Sequence, residues 1–118
     1  PPTTPLSRAR VYGALLATTE TYAKAQYLQE FIAPSSEADD KVLGVHLRFG
    51  LGFMLSQDVD DCRYGSSQGF GHPGAGGSVG FADPASRVGF AYVTARLGQS
   101  LLIDARAQRL VHALSECL

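Results

Sequence analysis

The sequence lacks several features that would assign a function at once. It has no excess of positive charge, because ten Lys and Arg residues face eleven Asp and Glu residues, for a formal net charge of -1. A protein that binds nucleic acid through its phosphates needs a basic surface, so nucleic acid is not an expected partner. No apolar run approaches the roughly 18 residues of a membrane span. The sequence therefore predicts a soluble chain with no membrane span, slightly favours the cytoplasm, and leaves the compartment undefined.

Cysteine and metal-ligand patterns are also sparse. The two cysteines, Cys62 and Cys117, are too few for a disulfide scaffold; we expect free thiols, although the sequence does not fix their distance and pairing stays open. No Cys/His spacing indicates zinc, and Asp58, Asp60 and Asp61 lack the glycine and distal glutamate of a calcium loop. We therefore predict no metal site and no cofactor.

Glycine, in contrast, is abundant and concentrated. Eight of the thirteen glycines lie between Gly50 and Gly77, and in the glycine-rich stretch from Phe70 to Ser78 the backbone must approach another group closely or take positive φ. A phosphate loop needs a lysine after its glycines, and a dinucleotide site needs a helix there; neither follows here. The remaining interpretation is a strand that lines an active site, with backbone N–H groups free to face a substrate oxyanion.

Hydrophobic periodicity predicts helices, then antiparallel strands, then a last helix. Residues 1–5 (PPTTP) are interpreted as a linker or ragged start, and 6–33 as a helical segment of two helices, 6–18 and 21–32, with Ser7 as candidate N-cap. The polar stretch 35–41 is expected to be a loop. Strict alternation from Val45 to Leu55 predicts one strand.

The second half of the chain continues this pattern. A strand entering at Phe70, another at 79–82 and a last one at 88–93 follow, with a turn at Asp83-Pro84, and residues 99–117 form an amphipathic helix. We expect a single, partial domain over 1–118, with about four antiparallel strands within 45–95. The predicted class is α+β, an antiparallel sheet flanked by helices.

Three separated stretches carry a more specific signal: Arg48–Phe53 (RFGLGF), Gly71–Ser78 (GHPGAGGS), and GFADP at 80–84 followed by GFAYV at 89–93. In this order they resemble the C-terminal part of serine hydrolases with the β-lactamase and penicillin-binding-protein fold, especially the esterase-like branch. The match is dense from about Asp40 to Leu97. The resemblance implies that the chain forms the C-terminal portion of the β-lactamase/transpeptidase-like fold.

The resemblance also implies site residues. In that family a K-T-G element, or H-x-G or W-x-G in the esterase-like branch, lies on a strand that faces the nucleophile. His72-Pro73-Gly74 resembles this element, which implies a catalytic role for His72 and a substrate- and oxyanion-binding role for Gly74, Ala75 and Gly76. The backbone N–H of Ala75 would be one oxyanion-hole donor. The plainer alternative for His72 is a strand histidine satisfied by a backbone partner.

The family's other two elements are missing from the chain. None of the ten serines has a lysine three residues later, and none of the five tyrosines begins a Y-x-N motif. We therefore expect a C-terminal fragment of a longer hydrolase, inactive alone, whose acyl-serine chemistry acts on a small ester or amide. Because a free imidazole is largely neutral at pH 7 where lysine is charged, we expect neutral esters or small amides rather than anionic β-lactams.

Two other functions remain open. The chain could be a non-catalytic α+β interaction module that binds a partner through an exposed sheet edge, including a second copy of itself as a homo-oligomer. It could also be a catalytically dead relative that keeps the fold for binding.

Overall fold

A six-stranded antiparallel sheet organises the chain in the computed structural model, which describes residues 4–17 and 25–118. Each strand pairs with the next one along the chain, so the sheet is a continuous meander. The strands are β1 (Ser36–Asp39), β2 (His46–Phe49), β3 (Met54–Leu55), β4 (Phe70–Gly74), β5 (Ser78–Asp83) and β6 (Val88–Tyr92). The predicted α+β class is confirmed, with six strands in place of about four.

Within the described residues, three α-helices accompany the sheet: α1 (Pro5–Leu16), α2 (Ala25–Ile32) and α3 (Ala105–Glu116). The prediction of Ser7 as N-cap of α1 is wrong, because Thr4 holds that place and its Oγ1 accepts the Ser7 N–H at 3.2 Å. Pro5 occupies the first helical position, where a missing N–H costs no hydrogen bond. The predicted start of the second helix, at residue 21, lies outside the described residues.

The last helix is shorter than the predicted span 99–117. It begins at Ala105 because Asp104 caps it, with Oδ1 accepting the N–H groups of Arg106 at 3.0 Å and Ala107 at 3.1 Å. Within the described ranges, no helix is both long and apolar enough to cross a membrane.

The two faces of the sheet bury separate cores, because alternate side chains of each strand point to opposite faces. On one face, Val79 and Phe81 of β5 pack with Ala107 and Val111 of α3. On the other face, Phe70 of β4 and Ala82 of β5 pack with side chains of the first two helices, Tyr12, Leu15, Leu16, Leu28 and Ile32. The sheet therefore lies between α3 and the α1–α2 layer.

The single strand predicted over 45–55 is wrong: the chain reverses there. β2 and β3 form a hairpin in which Phe49 pairs with Met54, closed by a hydrogen bond from Gly50 N–H to the Phe53 carbonyl at 2.9 Å. Gly52 takes a φ of +86°, which favours glycine. The alternation continues through the turn because Leu51, an apolar residue, occupies it while 57% exposed.

The loop predicted over 35–41 is also wrong in its centre, where β1 forms. All four residues of β1 are exposed, so the strand has no apolar face for a pattern to reveal. Backbone pairing to β2 holds it, from Ser36 opposite Phe49 to Asp39 opposite His46. The Asp39 carboxylate also lies 2.9 Å from His46 Nδ1 and raises the pKa of that imidazole.

Asp83, at the end of β5, joins two loops to the sheet. Its buried carboxylate accepts hydrogen bonds from Ser66 N–H at 3.0 Å, Ser66 Oγ at 2.6 Å, Ala85 N–H at 3.1 Å and Ser86 Oγ at 2.8 Å. Burial opposes the charged form, but the hydrogen bonds from Ser66 and Ser86 outweigh it and hold the pKa of Asp83 below its ordinary value. The predicted turn at Pro84 is confirmed, with Asp83 as its cap.

We predict that Asp83→Asn lowers the free energy of unfolding at pH 7 by roughly 1.5–3 kcal/mol, because an amide cannot accept all four donors. A carboxylate with a lowered folded-state pKa stabilises the fold above its unfolded pKa and loses that contribution as the pH falls. The difference between variant and wild type should therefore shrink below about pH 4. Urea unfolding at pH 7 and pH 3 measures this difference in the free energy of unfolding, with Glu116→Gln, at an exposed position, as control. A difference that is the same at both pH values would contradict the lowered pKa of Asp83.

Candidate active site

One edge of β4 is open at the end that carries the predicted site. On the β3 side, pairing stops at Met54 opposite Gly71, whereas on the β5 side it continues to Gly74 opposite Ser78. Residues 72–74 therefore have a neighbouring strand on one side only, and Ala75 begins the turn that follows them. Pro73 fits this place, because a residue without an N–H is tolerated at a sheet edge.

The register decides which backbone groups face the open side. Ser56 N–H donates to the Gly69 carbonyl at 2.9 Å, next to the β3–β4 ladder. Since backbone groups alternate between the two sides of a strand, Gly71 also faces β3, whereas His72 and Gly74 face β5. The Pro73 carbonyl and the Ala75 N–H therefore point to the side that β3 does not reach.

Among the residues that the structure describes, the Ala75 N–H is an unused donor. No acceptor in residues 4–17 or 25–118 takes it, and Ala75 itself is exposed in the turn between β4 and β5. The N–H of Gly76 is not free, because it donates to the Ser100 carbonyl at 2.9 Å. Gly76 instead allows the chain to turn, because its φ is +94°. Gly74 ends β4, and its carbonyl accepts the Gly77 N–H at 3.0 Å.

His72 is exposed beside this donor, with one ring nitrogen already bonded. Its Nδ1 lies 2.7 Å from the Pro73 carbonyl oxygen. A carbonyl can only accept, so in the neutral ring Nδ1 carries the hydrogen and Nε2 is the bare nitrogen. The backbone partner expected for an ordinary strand histidine is thus present, yet no described residue bonds to Nε2.

The His72 side chain faces the α1 layer. His72 lies opposite Gly80 in the β4–β5 ladder, and a Cβ on Gly80 would sit 2.7 Å from the Tyr12 ring, so this face of the sheet meets α1. There His72, Gly74 and Ser78 line a cavity of about 350 Å³ with Arg8 and Tyr12 of α1. Partial burial raises the pKa of the Tyr12 phenol, an effect that Arg8 opposes, so this hydroxyl stays protonated at neutral pH.

Tyr12 and Arg8 were not expected in this site. In the sequence, Tyr12 reads only as part of the apolar stripe of a helix, and Arg8 as an outward charge. Nothing in their spacing connects them with a residue sixty positions later. The sole signal is Gly80, whose missing side chain lets an aromatic ring approach the sheet.

Metal-binding and thiol chemistry find no support at this cavity. In the part of the chain that the structure describes, no group of three His, Cys, Asp or Glu side chains converges on a common point. Cys62 is buried, which raises the pKa of its thiol to about 11, and Cys117 is exposed; neither is in a disulfide.

Comparisons with known proteins show the family of the chain. The sequence pattern of the beta-lactamase family matches residues 3–113, so the chain belongs to that family. No curated protein sequence matches the chain.

Solved structures similar to the chain include two esterases and a penicillin-binding-protein homolog. A family VIII carboxylesterase has a TM-score of 0.84 and 32% identity over 95% of this chain. A novel penicillin-binding protein homolog from Caulobacter crescentus has a TM-score of 0.85 and 32% identity over 95% of this chain. EstA from Arthrobacter nitroguajacolicus Rue61a has a TM-score of 0.82 and 30% identity over 97% of this chain. The chain spans 31%, 31% and 32% of these three chains, about a third of their length.

We predict that Gly77→Ala destabilises the protein more than Gly44→Ala. Both glycines have positive φ, +119° and +69°, but a Cβ on Gly77 would sit 2.2 Å from Asp104 Oδ2, whereas one on Gly44 would meet no atom within 4 Å. Backbone strain alone costs about 1–2 kcal/mol, and crowding at Gly77 adds about 1–3 kcal/mol. Thermal unfolding of both variants measures the difference; equal shifts would show that the turn has room to relax.

Proposed function

We propose that this chain forms one wall of the active site of a serine hydrolase that cleaves a small ester or amide through an acyl-serine. The observation that carries the proposal is the unused Ala75 N–H on the open edge of β4, beside an exposed His72 whose Nε2 is bare. Membership of the beta-lactamase family supports it, as do structural relatives that include a family VIII carboxylesterase.

The nucleophile would come from outside these residues, because the chain has no S-x-x-K motif and covers about a third of its structural relatives. In the reaction, the serine Oγ attacks the carbonyl carbon of the substrate and the carbonyl oxygen becomes an oxyanion. Ala75 N–H would donate to this oxyanion, and the N–H of the nucleophile would be the second donor. The alcohol or amine then leaves with a proton, and water releases the acid from the serine.

His72 would contact the substrate from the adjoining cavity. The Pro73 carbonyl fixes the ring hydrogen on Nδ1, so Nε2 can accept a hydrogen bond from a hydroxyl group in the site. An imidazole carries no permanent charge, in contrast to the lysine that the family's K-T-G element provides. Arg8 also lines the cavity, but the position of the K-T-G lysine itself provides no permanent charge to hold a substrate carboxylate, so we propose a neutral ester or small amide as the substrate.

In the full-length protein that contains this chain, we predict that Ala75→Pro lowers kcat for p-nitrophenyl acetate by about 100- to 1000-fold, because proline has no N–H to give the oxyanion. Ala75→Gly keeps the N–H and should retain most of the activity. Thermal unfolding of both variants shows whether the turn still folds. Near-normal kcat in a folded Ala75→Pro protein would remove Ala75 from the mechanism.

A fluorophosphonate probe tests the location of the nucleophile in the same protein. We expect the label on a serine outside these 118 residues and none on a serine within them. Labelling inside the chain would overturn the assignment of the nucleophile, and an unlabelled, inactive full-length protein would identify a catalytically dead relative.

Substrate preference is a separate prediction. We expect the full-length wild type to show a higher kcat/KM for p-nitrophenyl acetate than for a chromogenic cephalosporin, which carries a carboxylate. His72→Lys should shift the ratio toward the cephalosporin, because it adds a positive charge at the site. His72→Gln, which adds no charge, is the matched control. A wild-type preference for the cephalosporin would contradict the neutral-substrate assignment.

A further inference from the structure

The guanidinium of Arg106, in the first turn of α3, donates all of its hydrogens to neighbouring groups. Its Nε donates to Asp104 Oδ2 at 2.9 Å, Nη1 donates to Thr94 Oγ1 at 2.9 Å and to the Arg96 carbonyl at 2.7 Å, and Nη2 donates to the Gly76 carbonyl at 3.0 Å and to Asp104 Oδ2. A guanidinium has five N–H hydrogens, so none is left for another partner.

These bonds connect α3 to the turn that carries the Ala75 N–H. Arg106 holds the Gly76 carbonyl, which also accepts the Gly98 N–H at 2.7 Å. That carbonyl shares its peptide plane with the Gly77 N–H, which donates to the Gly74 carbonyl at 3.0 Å. The Gly74 carbonyl in turn shares its rigid plane with the Ala75 N–H. Two hydrogen bonds and two peptide planes thus join the guanidinium to the free donor.

The turn is built to let this ion pair come close. A Cβ on Gly77 would sit 2.2 Å from Asp104 Oδ2 and 2.6 Å from Arg106 Nη2, so only glycine admits both groups against the backbone. The hydrogen bond from Arg106 lowers the pKa of Asp104, and the Asp104 carboxylate raises that of Arg106. Both groups are therefore charged at neutral pH, and each offsets the charge of the other.

We propose that Arg106 is a positioning residue that sets the direction of the Ala75 N–H through the Gly76 carbonyl. This inference rests on the proposed function, because it gives Arg106 a part in the binding of the oxyanion. With no N–H free and a carboxylate beside it, Arg106 does not attract an anionic substrate. Its effect on the reaction comes through the geometry of the turn.

The test uses the full-length protein with Arg106→Ala, Arg106→Lys and, as a matched control, Arg109→Ala, an exposed arginine one turn further along α3. Misplacing a group by 1 Å can cost about 100-fold in rate. We expect Arg106→Ala to lower kcat for p-nitrophenyl acetate at least about tenfold with little change in KM. Added guanidinium ion should restore part of the kcat of Arg106→Ala. Arg106→Lys keeps the charge, so its kcat should lie between those of the wild type and Arg106→Ala.

Amide hydrogen exchange over residues 74–77 gives a readout that does not depend on activity. We expect faster exchange at the Gly76 and Gly77 N–H groups in Arg106→Ala, and rates like those of wild type in Arg109→Ala. Unchanged exchange and unchanged kcat, with only a lower melting temperature, would show that Arg106 merely stabilises the fold and would overturn the proposal.

The two proposals can fail separately. If the wild type neither hydrolyses esters nor takes up the fluorophosphonate probe, the proposed hydrolase function fails. The exchange rates then decide the role of Arg106 alone: faster exchange in Arg106→Ala supports its control of the turn, and unchanged exchange refutes it.

Discussion

The candidate site depends on the unequal pairing of β4. One edge of this strand is bonded along its whole length to β5, while the other edge loses its partner after Gly71 because β3 is only two residues long. Backbone groups alternate along a strand, so this one-sided end leaves the Pro73 carbonyl and the Ala75 N–H without a partner strand. The carbonyl bonds the His72 ring, and the N–H remains for an incoming acceptor.

The turn after β4 has to be held in place by groups other than a neighbouring strand. The Gly76 N–H donates to the Ser100 carbonyl, and the Gly77 N–H donates to the Gly74 carbonyl. Asp104 and Arg106, at the start of α3, pack closely against Gly77. The last helix thus covers one core of the sheet and, in our proposal, also aligns the donor at its edge.

Much of the sheet could be predicted from the sequence, and the predictions that were wrong failed for identifiable physical reasons. The hairpin of β5 and β6 around Pro84 follows from β-rich segments separated by a proline turn. β1 could not be found, because all of its side chains are exposed and it is held by backbone pairing with β2 and by exposed polar contacts such as that of Asp39 with His46. The turn between β2 and β3 was hidden because an exposed Leu51 continues the apolar alternation across it.

By itself the sequence determined the α+β class, the glycine-rich segment, and the resemblance that singled out His72 and Ala75, because these depend on local periodicity and on a contiguous motif. Only the tertiary structure decided which N–H groups are free: that of Ala75 is open, whereas that of Gly76 is bonded to Ser100. It also decided that Tyr12 and Arg8 join the cavity of His72. Such relations depend on register and on the packing of distant segments, which local sequence patterns do not encode.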